Sequence, residues 1–508
     1  MLSAGALAVV LFAPVQSSSE VVVNAQWSTG RMIPGDWVPL VVDLQNAGAR
    51  NLDVRVRVTD DILRCRVVRP ETLPAKGRRR IFVELPGGSH ARMFGYGVRP
   101  KVSVEGPDGE ILARFELAST HLRDASFQVV LVSSARSSEG AFRFPRQSGN
   151  RAVELSRADV SLLPVRWTGY TGVDLLVLHD APLDELSPDQ ARAILDWVRL
   201  GGTVAASPGP RPGWLSHPVL AALAPVEAGR PETRTSLPGL AASQPSLFAA
   251  GRPFLHHPVR NGTVDTGTDT RVFSCGLGRV RILPFDVAAA PFAESAGLEA
   301  LWGEVLGEVR SSAVTAEPDG RLSAPAVLSG LSMQINPYPS YGLLVGLTAL
   351  FLTVVGPVNW LLLRRLRMTL LLILTVPALS VLFLGLTVGA GYLVKGTGTI
   401  VASVRFIVAP PGRGAGVETQ LMAVRSPSTR DYRLSFPPGH GALPAERALD
   451  GRLLFGTTDV ATLEIQDGPR PTFAGFRIGQ WESRPIVTKA PVDLGASASS
   501  PGRAGSGW

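Results

Sequence analysis

Residues 341–394 read YGLLVGLTALFLTVVGPVNWLLLRRLRMTLLLILTVPALSVLFLGLTVGAGYLV, and two uncharged stretches within them set the architecture. The first, 341–363, runs 23 residues and the second, 370–394, runs 25. At about 1.5 Å rise per residue, each helix outlasts the ~30 Å hydrocarbon core of a bilayer. Buried helices of soluble proteins seldom go so far without a charge, so both are expected to span a membrane. The connection, 364–369, carries Arg364, Arg365 and Arg367, whereas the flank before the first span, 332–340, has no charge. The positive-inside rule places this arginine turn in the cytoplasm and both large flanks on the far side. Tyr338, Tyr341 and Tyr392 suit the outer interface and Trp360 the inner one. Gly356-Pro357 predicts a kink in the first span, and Asn359 is placed to hydrogen-bond across to the second helix. Two helices with one amide make no ion path, so Gly356, Pro357 and Asn359 are read as packing residues and not as a transport site.

Outward from the hairpin, the N-terminus agrees. Residues 2–15 are apolar and rich in small residues, then Gln16-Ser17-Ser18-Ser19 follow. The segment 1–20 reads as a secretory signal peptide, although it lacks a positive start, or as a short uncleaved N-terminal anchor.

The 508-residue chain is 45% apolar and 18% charged, with mean hydropathy +0.18. Soluble domains carry about 25% charged residues, so the deficit matches membrane segments and excludes a wholly disordered chain. Net charge is +8, and only four of the 50 basic residues are lysine. The arginines are dispersed among 42 acids, which makes a poor footprint for nucleic acid, and no such partner is expected. Two cysteines, Cys65 and Cys275, exclude a disulfide framework and a four-cysteine zinc site. Two buried thiols or one inter-domain disulfide both fit.

Residues 21–122 read as β. The run 37–44 (WVPLVVDL) is strand-like, Asn46-Ala47-Gly48 turns, and 53–58 (DVRVRV) alternates strictly. Short strands at this spacing predict an immunoglobulin-like sandwich. Residues 126–312 change pattern. The apolar runs 127–132 (FQVVLV) and 173–178 (VDLLVL) suit strands covered on both faces. Ser187-Pro188-Asp189-Gln190 is a capping box ahead of the stripe Ala191, Ile194, Leu195 and Val198, and Gly201-Gly202 ends that helix. A strand at 203–206 follows, giving a strand–helix–strand unit and hence a parallel, Rossmann-like α/β sheet. A later strand, 279–285, precedes a helix at 294–309. Residues 313–340 read as a linker, 399–490 as a further β-rich domain, and 491–508 as a disordered tail. The fold class is thus a multidomain α+β membrane protein.

Residues 170–180 (YTGVDLLVLHD) and 186–202 (LSPDQARAILDWVRLGG) resemble the class I glutamine amidotransferase-like α/β domain of bacterial membrane proteins. Residues 355–367 (VGPVNWLLLRRLR) resemble their transmembrane hairpin. The chain is therefore similar to uncharacterised bacterial envelope proteins that join a β domain, such an α/β domain and two spans. The resemblance implies a place in the inner (plasma) membrane with the bulk of the chain extracytoplasmic. It also implies partners among other envelope membrane proteins, encoded beside AAA ATPases and von Willebrand factor A proteins.

True amidotransferases set a cysteine on a tight strand-to-helix turn, where the helix terminus lowers its pKa. Here the strand after Gly201-Gly202 ends in Ser207-Pro208-Gly209-Pro210, without cysteine. A serine elbow wants glycine two residues to either side, and Ser207 has Ala205 and Gly209. Cys275, in Phe273-Ser274-Cys275-Gly276-Leu277-Gly278, leads into a strand and reads as a hairpin turn. For the same reason Gly276-Leu277-Gly278-Arg279 is no phosphate loop. His179-Asp180 closes a parallel strand at its carboxyl end, where α/β sheets bind ligands. His179, Asp180 and Ser207 are the ligand-binding candidates. His256-His257 points two ways on an extended chain and holds no shared metal. No cofactor and no metal are expected. The function expected is that of a non-catalytic envelope scaffold or recognition protein. A hydrolase of the amidotransferase-like superfamily and an accessory subunit of an export or transport complex stand beside it.

Overall fold

The computed structural model describes residues 20–33, 35–87, 97–117, 126–134, 142–149, 151–211, 213–265, 268–309, 324–335, 341–410, 414–445, 462–468 and 470–494. The expected signal or anchor segment, Tyr338 and most of the expected disordered tail lie outside the described residues.

Seven strands open the chain: β1 (Val21–Trp27), β2 (Trp37–Asn46), β3 (Leu52–Asp60), β4 (Cys65–Leu73), β5 (Arg78–Pro86), β6 (Lys101–Glu105) and β7 (Ile111–Glu116). Alternation decides their faces. Val21, Val23, Ala25 and Trp27 point inward from β1, and Val54, Val56 and Val58 do so from β3, while Asp53 and Arg55 face out. β1, β2 and β5 pair antiparallel in one sheet, and β4, β3, β6 and β7 belong to another. The inward residues of the two sheets share one apolar core.

The α/β module follows, with β8 (Phe127–Ser133), β9 (Gln147–Ser148), β10 (Arg151–Arg157), β11 (Leu175–His179), helix α1 (Pro188–Arg199) and β12 (Thr203–Ser207). It continues through β13 (Glu232–Arg234), β14 (Phe254–His256), β15 (Thr263–Asp265), β16 (Thr270–Cys275), β17 (Gly278–Ile282) and α2 (Gly297–Glu308). Five strands run parallel in the order β10-β8-β11-β12-β17, so the first strand in the chain has its successors on both sides. This is a doubly wound order, with its topological switch between β8 and β11. β16 and β15 add antiparallel at one edge and β9 at the other.

Both sheet faces are covered, which is why these strands read as continuous apolar runs. Val130, Val132, Leu176, Leu178, Val204 and Ala206 meet Ile194, Trp197 and Val198 of α1. Val129, Leu131, Leu175, Val177 and Ala205 meet Leu298, Leu301, Trp302 and Val305 of α2 on the opposite face. The capping box that starts α1 is formed: Ser187 Oγ accepts from the Gln190 backbone N–H, and Gln190 Oε1 accepts from the Ser187 N–H.

Residues 324–335, expected as linker, form helix α3 (Ala324–Ile335). Leu328, Leu331 and Ile335 recur at one-turn spacing and pack on Leu421, Ala423 and Val487. The flat, alanine- and serine-rich composition hid that stripe. Next come α4 (Tyr341–Thr353), a π-turn at Val354–Val358, α5 (Asn359–Arg365) and α6 (Leu372–Lys395). Two continuous helical stretches, Leu344–Arg365 and Thr369–Lys395, are long and apolar enough to cross a membrane. Their large apolar side chains, Leu350, Leu361, Ile373 and Leu384 among them, face outward, the inverse of a water-soluble helix. Pro357 lies inside the π-turn, which accommodates the missing N–H. Asn359 Nδ2 donates to Thr375 Oγ1 at 2.9 Å across the hairpin. At the tip, the Arg364 guanidinium lies 5.0 Å from the Trp360 ring centre.

The chain returns as β18 (Ile400–Val408), β19 (Ala415–Arg425), β20 (Arg430–Ser435), β21 (Gly441–Pro444), β22 (Leu463–Gln466), β23 (Thr472–Ile478) and β24 (Ser483–Asp493). β18, β19, β24 and β21 form a sheet of their own. The others do not. β20, β23 and β22 continue the N-terminal sheet, β22 lying parallel to β4 with Leu463 beside Cys65 and Ile465 beside Val67. The separation into 21–122 and 399–490 is thus corrected: strands from both form one seven-stranded sheet over one core. Residues 491–493, expected in the tail, close β24 against β19.

Candidate functional site

The carboxyl ends of β8, β11, β12 and β17 converge at the switch point. Ser134 follows β8, His179 ends β11 with Asp180 after it, Ser207 ends β12, and Phe285-Asp286 follow β17. The structure therefore brings His179, Asp180 and Ser207 together, but gives the first two different partners.

His179 Nδ1 lies 3.1 Å from Ser207 Oγ. Ser207 Oγ is also 2.8 Å from the Phe285 carbonyl and accepts from the Val287 N–H at 3.4 Å. A carbonyl can only accept and a hydroxyl has one proton, so that proton goes to Phe285. Nδ1 of His179 then donates to Ser207, and its Nε2 carries the lone pair. Nε2 lies 3.5 Å from Asp286 Oδ1. Burial pushes the His179 imidazole down to about 4, against the pull of the Asp180 charge, so it is neutral at physiological pH. Burial pushes the Asp286 carboxyl upward, and the Asp180 charge adds to that. Phe142 closes one side, its ring edge-on to the imidazole with centres 5.1 Å apart.

Asp180 adopts φ +43° and turns to Arg211, whose Nε donates at 2.6 Å. Arg211 also binds the Asp180 carbonyl, and Ser134 Oγ donates to Asp180 Oδ2 at 3.1 Å. Gly209 packs against this carboxylate; a Cβ there would fall 2.5 Å from Asp180 Cγ. The positive φ swings Asp180 away from its neighbour, and each joins a separate cluster.

Ser207 is 0% exposed and its proton is spent within the protein, so it works as a clasp between β12 and the 285–287 loop. The reactive geometry left is His179 Nε2 facing Asp286, whose side chain is 18% exposed. A lone pair beside a carboxyl can take a hydrogen-bond donor or share a proton. Asp286 and Arg211 escaped sequence reading. The rule that singled out the end of β11 would have found Asp286 had it been applied to the end of β17.

The other motifs lie elsewhere. Cys275 sits at the amino end of β17, where Gly276 turns the β16–β17 hairpin with φ +60° against the Arg199 carbonyl. Neither cysteine forms a disulfide. His256 Nδ1 meets Glu232 Oε1 at 3.1 Å, while His257 is buried with Nε2 unpartnered. Among the described residues, no group of three or more His, Cys, Asp or Glu side chains could hold a metal ion.

No family model and no curated protein matches the chain. Solved structures give distant likenesses only. An exo-β-1,4-mannosidase from Opitutaceae bacterium strain TAV5 is 16% identical, with a TM-score of 0.24 over 37% of this chain and 36% of that one. The Amycolatopsis orientalis exo-chitosanase is 12% identical, with a TM-score of 0.15 over 39% of this chain and 24% of that one. Over these matches the chain spans well under half the length of either enzyme.

Proposed function

We propose that the protein is a membrane-anchored, extracytoplasmic scaffold or recognition protein of the bacterial cell envelope. In this reading its α/β module is an amidotransferase-like fold without a nucleophile, and its β body is a sandwich shared by both flanks of the hairpin. One observation carries the reading: β22, after the hairpin, pairs with β4, before it. Strands of one sheet cannot lie on opposite sides of a bilayer. Both flanks therefore share a side, and the Arg364–Arg365–Arg367 turn lies on the other. The positive-inside rule makes that turn cytoplasmic. The second span is also tied to this body. Tyr392 packs edge-on to Trp481 at 5.2 Å, and Gln480 Nε2 donates to the Tyr392 hydroxyl at 3.0 Å. A folded body built from both flanks of two apolar helices suits assembly with other membrane proteins.

Site-directed labelling tests the topology. In a Cys275→Ser background, Asp61→Cys should react with an impermeant maleimide on intact spheroplasts, and Arg367→Cys only after lysis. The reverse pattern, or labelling of both, overturns the orientation.

A second reading, a hydrolase, is favoured by the neutral His179 facing Asp286. Assays of the detergent-purified full chain against glutamine, esters and peptides separate the two. Turnover lost in His179→Gln and Asp286→Asn supports the hydrolase and ends the scaffold reading.

A further inference from the structure

The two apolar helices are interrupted at one level. Two contacts fix their register: Asn359 and Thr375 are hydrogen-bonded at 2.9 Å, and Phe351 and Phe383 meet edge-on with ring centres 5.3 Å apart. The members of each pair stand equally far from Arg367 in the chain, by 8 positions for the first pair and 16 for the second. Pro357 and Pro377 each stand 10 positions from Arg367, so they lie at one depth of the hairpin, between the two contacts.

Each proline interrupts its own helix. Pro377, inside α6, has no N–H to offer the Ile373 carbonyl. Pro357 sits in the π-turn Val354–Val358, where the backbone ladder shifts from four residues to five. Among the described residues nothing braces either break. Both prolines are exposed, no residue of the π-turn is buried, and a Cβ on Gly356 would meet nothing within 4 Å.

The pieces on either side are each held together. Toward the tip, Asn359 bonds Thr375 and the Arg364 guanidinium lies over the Trp360 ring. Away from the tip, Phe351 meets Phe383, and the end of α6 is pressed against the returning strands. There Tyr392 packs on Trp481 and accepts from Gln480, Lys395 Nζ lies 5.1 Å from the Trp481 ring centre, and a Cβ on Gly391 would fall 2.8 Å from that ring. Kinks at different depths would leave each helix splinted by an unbroken neighbour. At one depth neither splints the other.

We propose that Pro357 and Pro377 form a hinge across the hairpin, about which residues 359–376 and their three arginines swing as one piece against the outer half. The hinge is a property of the two helices and holds on whichever side of the membrane the tip lies. It lets the Arg364–Arg365–Arg367 turn tilt while the contacts of Trp481 stay made.

Spin-label pairs on the full chain in liposomes test this, read as distance distributions by pulsed electron resonance. In a Cys275→Ser background, with Cys65 buried, Leu362→Cys and Leu393→Cys label two exposed sites on opposite sides of the hinge. Val381→Cys and Leu393→Cys label two exposed sites on α6 outside it, as the reference. The crossing pair should give a wider distribution than the reference, or two separate distances. Pro357→Ala with Pro377→Ala should narrow it to the width of the reference. Pro377→Ala alone should narrow it nearly as far, since one continuous helix splints its neighbour. The hinge falls if the crossing pair of the unaltered prolines is no wider than the reference, a comparison that needs no proline variant to fold. It falls equally if the double variant, with its reference distance unchanged, stays wide, or if the two prolines contribute separate additive steps, which would make them independent kinks.

Discussion

Cys65 and Leu463 stand side by side in a parallel ladder, with the whole α/β module and the membrane hairpin between them in the chain. Arg66 and Glu464, the next pair, meet at 3.2 Å across 398 positions. The seven-stranded sheet is therefore incomplete until the strands that follow the helical hairpin have joined it.

Ile465 tests that dependence. It is buried on β22 in the core that holds Val56, Val67 and Val83. Ile465→Ala should cost about 2–4 kcal/mol, the usual price of a large-to-small core change. Limited proteolysis should then cut the 21–116 strands as well as the returning ones. Cutting confined to residues after 462 would show that the two parts fold separately.

Gly209→Ala should destabilise the switch-point end of the sheet. The added methyl meets the Asp180 carboxylate, which Arg211 and Ser134 hold in place. Overpacking of this kind costs about 1–3 kcal/mol, readable as a lower denaturant midpoint at unchanged slope.

Stability should depend on pH through two groups with opposite signs. His179 has a folded pKa of about 4 against an unfolded 6.5. Between these values the unfolded chain binds the proton and the folded one does not. The His179 contribution is thus whole above 6.5 and lost as pH falls toward 4, by at most about 1.4 kcal/mol per unit. Replacing His179 by Gln should flatten the acid limb of the stability profile.

Glu84 runs the other way. Its folded pKa is about 7 against an unfolded 4.5, so its contribution is whole below 4.5 and lost as pH rises through 7. Glu84→Gln should gain stability relative to the unaltered chain as pH is raised from 5 to 8, measured by thermal melts across that range. An unchanged difference across it would place an ion or proton partner on Glu84 that the described contacts do not include.

Asn359 and Thr375 should show a coupling of about 0.6 kcal/mol, and under about 1.7, in a double-mutant cycle of hairpin unfolding in detergent. A coupling of zero would mean that shape around the π-turn, and not this hydrogen bond, aligns the helices.

Legibility followed the range of the signal. The uncharged runs of the hairpin, the alternation of β3 and the capping box of α1 are all decided by neighbours within a few residues, and each could be read directly. The stripe of α3 was equally local, but small residues around Leu328, Leu331 and Ile335 masked it. His179 and Ser207 were located by the rule of strand ends. Their partners were not, since Ser207 reaches Phe285 across 78 positions and Asp180 reaches Arg211 across 31.

The sequence by itself determined where two helices long and apolar enough to cross a bilayer lie, and which residues of strands such as β3 face inward, because charge-free length and period two are properties of contiguous residues. Only the tertiary structure decided that the two flanks share a sheet, that Ser207 gives its proton to Phe285, and that Glu84 is buried against Thr168. Those outcomes rest on which distant segments exclude water together, and no local pattern encodes that choice.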